Sequence, residues 1–154
     1  MTGDGRADLV ARDRSGVLWL YEATGSSSRP FVGKVKVGGG WNAYASIIRG
    51  NDLTGDGKAD LVARDGAGVL WLYPGTGKAA APFLKRVRVD GGWKSYAAVV
   101  GVGDVNGDGR MDLVTKTGTS RHTLVLKAGT QRTGDLFEPS KVLGAGAAGF
   151  DLLF

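Results

Sequence analysis

The feature that most limits how this chain can fold is an acidic, glycine-punctuated phrase that returns at a constant interval. TGDGRADL (Thr2–Leu9), TGDGKADL (Thr54–Leu61) and NGDGRMDL (Asn106–Leu113) place Asp4, Asp56 and Asp108 exactly one 52-residue period apart. The agreement runs past the phrase itself. TGDGRADLVARDRSGVLWLY, Thr2–Tyr21, recurs as TGDGKADLVARDGAGVLWLY, Thr54–Tyr73, with only Arg6, Arg14 and Ser15 exchanged for Lys58, Gly66 and Ala67. A unit of this length cannot bury its own apolar face, so its copies are expected to stack or fan, each covering the next.

The third copy carries the fullest acidic loop. With Asp104 as position 1, oxygen side chains follow at position 3 (Asn106), position 5 (Asp108) and position 9 (Asp112), with Gly109 at the sharp turn of position 6. A hard cation takes six to eight oxygens, and alternate residues of a tight loop can point inward together while the carbonyl of position 7, Arg110, adds another. Three carboxylates in one loop repel each other at neutral pH unless a cation lies between them. The alternative reading is an Asp/Gly turn that needs no metal. Position 12 is Thr115 where a calcium-binding helix-loop-helix has a bidentate Glu, and the following LVTK has no helical period, so the loop leads into a strand.

The rest of each unit reads as short strands. In the middle copy these are Tyr44–Arg49, Asp60–Arg64, Val69–Tyr73 and Phe83–Val89, separated by DGAG, PGTG and DGGW turns. The first is built of small residues, as is its counterpart at Ala97–Gly101, which suits the crowded hub of a radial assembly. The fourth alternates, Val87 and Val89 against Arg86 and Arg88, as an exposed edge strand does. A two-residue insertion around Thr119–Arg121 shifts the later part of the third copy, and Phe150–Phe154 overlies Tyr96–Val100. No ten-residue stretch carries a helical stripe, so the fold is expected to be all-β. The chain, one repeat domain over 1–154, divides at about 1–43 (lacking its first strand), 44–95 and 96–149, with 150–154 a terminal first strand.

Bulk numbers exclude some functions. The 27 glycines sit at fixed places in the repeats and read as turn chemistry. With no cysteine there are no disulfides, thiol catalysis or Cys-based zinc sites. No apolar run reaches membrane-spanning length, so no membrane insertion is expected. The net charge of +5 comes from residues such as Lys85, Arg86 and Arg88 spread along strand faces, a solvated pattern without the dense clusters of a nucleic-acid surface. The opening inside the motif, with Met1 where Leu53 and Val105 stand, suggests an excised or engineered fragment whose targeting segment is absent.

The acidic loop followed by DLV or ADL, the spacing and the four-strand unit resemble FG-GAP repeats, also called VCBS repeats, the blades of integrin-α-like β-propellers found on secreted bacterial proteins. The resemblance implies calcium held at the loop between the first two strands of each blade, on Asp104, Asn106, Asp108, the Arg110 carbonyl and Asp112. Carried to the second copy it implies Asp52, Thr54, Asp56, the Lys58 carbonyl and Asp60, and to the first only Thr2, Asp4, the Arg6 carbonyl and Asp8. Occupancy is expected to fall in that order. Three blades are fewer than the four to eight that close a propeller, so the expected partner is a second copy, a six-bladed homodimer or higher ring with C-terminal strands exchanged. A β-trefoil is the alternative architecture.

Two sets of aromatic residues need a role. Trp19, Tyr21, Trp71 and Tyr73 belong to third strands and are expected to pack between neighbouring blades. Trp41, Tyr44, Trp93 and Tyr96 follow the GGGW and DGGW turns; they either anchor one blade to the next or offer faces on which a sugar stacks. His122, the single histidine, is expected on the surface, and nothing near it resembles a nucleophile elbow. Carboxylate pairs for glycoside hydrolysis exist only inside the acidic loops. The expectation is a non-catalytic, calcium-binding, extracellular recognition module for carbohydrate; the alternative is a scaffold, or an engineered propeller fragment, that assembles into a ring without a ligand of its own.

Overall fold

A computed structural model describes residues 1–118, 124–127, 129, 136, 137, 139 and 141–144 of the chain. They form eleven strands in three antiparallel sheets, each drawn from one repeat. The first sheet runs β1 (Leu9–Arg12), β2 (Leu18–Ala23), β3 (Phe31–Gly38). The second runs β4 (Tyr44–Arg49), β5 (Leu61–Asp65), β6 (Leu70–Tyr73), β7 (Val87–Asp90), and the third β8 (Tyr96–Gly103), β9 (Asp112–Thr117), β10 (Leu124–Lys127), β11 (Lys141–Gly144). Within every sheet neighbours in sequence are neighbours in space. A trefoil would pair strands of different units into one barrel, so that alternative falls; the sheets are blades of the β-propeller type.

Register repeats with the sequence. Leu9 faces Tyr21 in the first sheet as Leu61 faces Tyr73 in the second, and Leu113 faces Lys127 in the third. Because side chains alternate across a strand, this register sends Leu18 and Leu20, or Leu70 and Leu72, to one face and the tryptophans between them to the other. The leucines are buried. Trp19 and Trp71 are only half-buried, which corrects the expectation of fully packed aromatics. Each is tied by its indole N–H to an aspartate of the preceding turn, Asp13 or Asp65, at 2.9 Å, and covered by a cation, Lys34 at 4.1 Å or Arg86 at 4.0 Å from the ring centre.

Two apolar clusters fill the spaces between sheets. One joins Leu18, Leu20, Trp41 and Tyr44 to Leu61 and Ala63; the other joins Val62, Leu70 and Leu72 to Trp93, Met111 and Leu113. The middle sheet is thus buried on both faces, and each fully buried leucine contributes roughly 1.5–3 kcal/mol. The inner strands β4 and β8 lie beside each other. Gly101 permits that approach, since a Cβ there would stand 2.9 Å from the Arg49 carbonyl oxygen.

One strand is shorter than its alternation suggests. β7 begins at Val87; Phe83 makes an isolated bridge to Gly75, and Leu84 donates to the Pro74 carbonyl at 2.8 Å, so that Lys85 and Arg86 lie in a bend. The expectations for Thr119–Arg121, His122 and the terminal strand 150–154 fall outside the described residues.

Candidate ligand cleft and acidic loops

The acidic loops are cages of backbone N–H groups. Asp52 accepts from Gly55 at 2.6 Å, Asp56 at 3.1 Å and Gly57 at 2.6 Å. Asp104 repeats this with Gly107 at 2.7 Å, Asp108 at 3.0 Å and Gly109 at 2.7 Å. The Gly109 N–H foremost, with those of Gly107 and Asp108, holds the Asp104 carboxyl below its ordinary range. At position 5 each aspartate accepts the N–H of position 7 and meets that residue's own cation: Arg6–Asp4 at 3.2 Å, Lys58–Asp56 at 2.7 Å, Arg110–Asp108 at 3.5 Å. One carboxylate of each loop is therefore offset by a side chain of that loop.

Position 9 has a different job from its neighbours. Asp60 is fully buried and accepts from Leu53 at 2.8 Å, Thr54 at 3.0 Å and, across the unit, Gly75 at 2.7 Å. Burial pushes its carboxyl up, against the pull of those three donors. Asp112 ties Val105 at 2.9 Å to Gly129 at 3.0 Å in the same way. Asp8 ties Thr2 at 2.9 Å to Ala23 at 3.1 Å, and the Met1 ammonium lies 2.9 Å from it, where the Leu53 and Val105 amides stand in the other copies. Burial works against ionisation of Asp8, but the ammonium and the two N–H groups prevail and bring it to about 2. These aspartates latch the start of the loop to the turn after the unit's third strand.

Calcium, which the resemblance implies, can be tested against this arrangement. Among the described residues no three His, Cys, Asp or Glu side chains are drawn together closely enough to hold an ion. The donor chemistry of the third loop fits a hard cation, because the Asp104 oxygen that accepts from Gly109 and the Asp108 oxygen that accepts from the Arg110 N–H each keep a further lone pair, and Asp104, Asn106 and Asp108 share one exposed turn. The position-9 aspartates differ in being buried behind that turn, with their oxygens turned to backbone N–H groups on both sides.

The four turn aromatics are staples first. Gly40 and Gly92, left-handed at φ 84° and 87°, lead into single 3-10 turns that carry Trp41 and Trp93 into the gaps between sheets. Trp41, Tyr44 and Trp93 are buried, so no ring face stands free for a sugar, which corrects that expectation; Tyr96 is half-buried. Each turn docks on the preceding blade: Trp41 and Trp93 donate their N–H to Gly16 and Gly68 at 2.9 and 3.0 Å. Arg12 then donates to the carbonyls of Trp41 at 2.8 Å and Tyr44 at 2.6 Å, and Arg64 to those of Trp93 at 3.1 Å and Tyr96 at 2.6 Å. Sequence reasoning missed these two arginines. Their signal was present, as the same residue in VARD of both near-identical copies, with Lys116 in the third.

Between the first and second sheets the aromatics open onto a cleft of about 310 Å³, lined by Val37, Gly38–Trp41, Ala43, Tyr44, Tyr73 and Arg86. A second hollow of about 330 Å³ shares Val37, Trp41 and Tyr73 and continues past Pro82 and Phe83. The Trp41 ring lies 4.7 Å from Tyr73 and 5.4 Å from Tyr44. The two tyrosine hydroxyls are 2.5 Å apart, and Arg86 donates to that of Tyr44. Burial first, then the bond to Tyr44, pushes the Tyr73 phenol up to about 12, so it stays neutral and keeps its proton. Tyr73 and Arg86 were not among the residues singled out for binding.

A search of curated proteins returned no match to the chain. The FG-GAP-like repeat model matches residues 1–63 and again 52–115, the first two units and the third acidic loop with the strand that follows it. With repeating sheets, loops and register all of one kind, the chain belongs to the FG-GAP-like repeat family.

Proposed function

We propose that this chain is a non-catalytic, extracellular recognition module that binds carbohydrate in the cleft between its first and second sheets. The observation that carries the reading is the composition of that cleft: Trp41, two tyrosines paired through their hydroxyls and the exposed Arg86 line one hollow. A sugar offers an apolar C–H surface ringed by hydroxyls. Small-ligand sites meet such a molecule with apolar walls and a few placed polar groups. Arg86 supplies donors beyond the one spent on Tyr44, and its planar fork suits vicinal oxygens. The position-9 and position-1 carboxylates are held by backbone N–H groups, which supports binding over acid-base catalysis at the loops.

The third loop is the proposed calcium site, with Asp104, Asn106, Asp108 and the Arg110 carbonyl as ligands and Asp112 fixing the loop behind them. The second loop, with Asp52, Thr54 and Asp56, ranks below it and the first lowest. The metal would supply charge neutralisation, stiffening the turn between a blade's first two strands. Such sites fill at extracellular calcium levels, which favours a secreted setting; among the described residues no helix is long and apolar enough to cross a membrane.

A glycan array on the full chain, with Arg86→Ala and Tyr73→Phe beside it, tests the cleft. Bound glycans should be lost or weakened about tenfold or more in both variants, in line with one or two ligand hydrogen bonds of about 1.5 kcal/mol each. Binding that survives both substitutions would move the site elsewhere, and no binding at all would reject carbohydrate as the ligand.

A further inference from the structure

The internal junctions show what each blade face does when covered, and the two ends of the stack show the same faces bare. Leu61 of the second sheet is fully buried against the first, yet its counterpart Leu9 is 46% exposed. At the other end, Leu53 is 3% exposed and Met1 7%, packed into the second and first junctions, whereas Val105 at the equivalent place is 59% exposed. The register sets Leu143 of β11 where Val89 stands in β7, and Val89 packs into the second junction while Leu143 is 51% exposed. The β1 strand extends the bare surface: among the described residues it has no partner on the side where β5 pairs with β4. A hollow of about 450 Å³ lies there, lined by Asp8, Leu9, Val10, Arg12, Leu18, Ile47 and Arg49.

We infer that the bare face of the first sheet is a docking surface for the third sheet of a second copy of this chain. The argument is continuity. One chain carries both halves of an interface it already makes twice internally, a left face centred on Leu9 and a right face centred on Val105 and Leu143. In the first junction Met1 shares a cluster with Ala59 and Leu61, and in the second Leu53 shares one with Met111 and Leu113. In the docked pair Val105 takes that place against Ala7 and Leu9 of the neighbouring copy. The contact is head-to-tail, so each copy uses two different faces, and it closes a ring or propagates according to the angle between sheets.

This inference stands independently of the ligand proposed for the cleft. Its test is the mass of the full chain by sedimentation over a concentration series, with Leu9→Glu, Leu143→Glu and an equimolar mixture of the two. The parent should associate reversibly. Each variant alone should weaken association by about a hundredfold or more, because an unpaired charge would be buried at every contact. The mixture should recover a one-to-one complex, since the intact left face of one variant meets the intact right face of the other. Both sites are exposed in the single chain, so at dilutions where the parent is monomeric the melts should match it; if Leu9→Glu unfolds, Ala7→Glu on the same exposed face replaces it. A parent that stays monomeric throughout, variants that assemble like the parent, or a mixture without recovery would each overturn the inference.

Discussion

The first and second junctions are built from the same repeat, and comparing them separates scaffold from site. Both have the tryptophan turn, the glycine that receives it and the arginine that clamps its carbonyls. They part at two positions of the cleft: Tyr73 beside Trp41 becomes Lys127 beside Trp93, with its ammonium 5.4 Å from the ring centre, and Arg86 has Ser140 as its counterpart in sequence. At the first junction a tyrosine pair and Arg86 leave a polar-rimmed cleft. At the second, Trp93 packs against Tyr96 and Phe137, and the Lys127 ammonium lies over its ring. The lesson is that groups reaching across to the neighbouring blade recur because docking requires them, whereas the residues that give the first cleft its polar rim, Tyr73 and Arg86, belong to one junction alone.

The largest expected effect would erase the scaffold half of this comparison. Trp41→Ala and Trp93→Ala should each cost about 3–5 kcal/mol of stability, the range for a buried aromatic cut back to alanine. Urea denaturation checks it, and a loss at only one junction would show that the two turns are not equivalent staples. Next come Arg12→Ala and Arg64→Ala. Each removes two charge-assisted bonds to turn carbonyls, and a loss of about 2–3 kcal/mol is expected, with Arg64→Lys recovering part of it. The substitution at Arg12 should also weaken ligand binding at the first cleft, because it loosens Trp41 and Tyr44, whereas that at Arg64 should leave binding unchanged. Equal effects on binding would break the assignment of the cleft to the first junction.

The smallest expected effect sharpens the contrast between loops. Chelating divalent metal should lower the melting temperature by a few degrees, in keeping with about 1 kcal/mol in a domain of this size. Asp104→Asn should remove most of that response, and Asp4→Asn should leave it. A melt unmoved by chelator would count against calcium at every loop.

Much of this was legible beforehand. The period, the all-β character and the loop positions follow from residues adjacent in the chain, and Asp104, Asn106 and Asp108 do share one turn as their spacing indicates. The fate of Asp60 was not legible, because its third donor, Gly75, lies fifteen residues away across two strands. Nor was the half-exposed state of Trp19 and Trp71, which depends on which face of a strand the neighbouring blade covers. The bend at Lys85 and Arg86 was hidden by an alternating pattern that a strand and an irregular edge share, and it is this bend that brings Arg86 back over Trp71 and Tyr44.

By itself the sequence determined the unit: which residues turn, which pair within a sheet, and how often the unit returns, since these depend on local backbone preference and strand period. Tertiary structure alone decided what lies between units. Whether a tryptophan is a staple or a ligand platform, whether an aspartate is a latch or a metal donor, and whether a leucine is covered or bare depend on surfaces brought together over long stretches of chain. That contact has no signature in the residues of either surface taken alone.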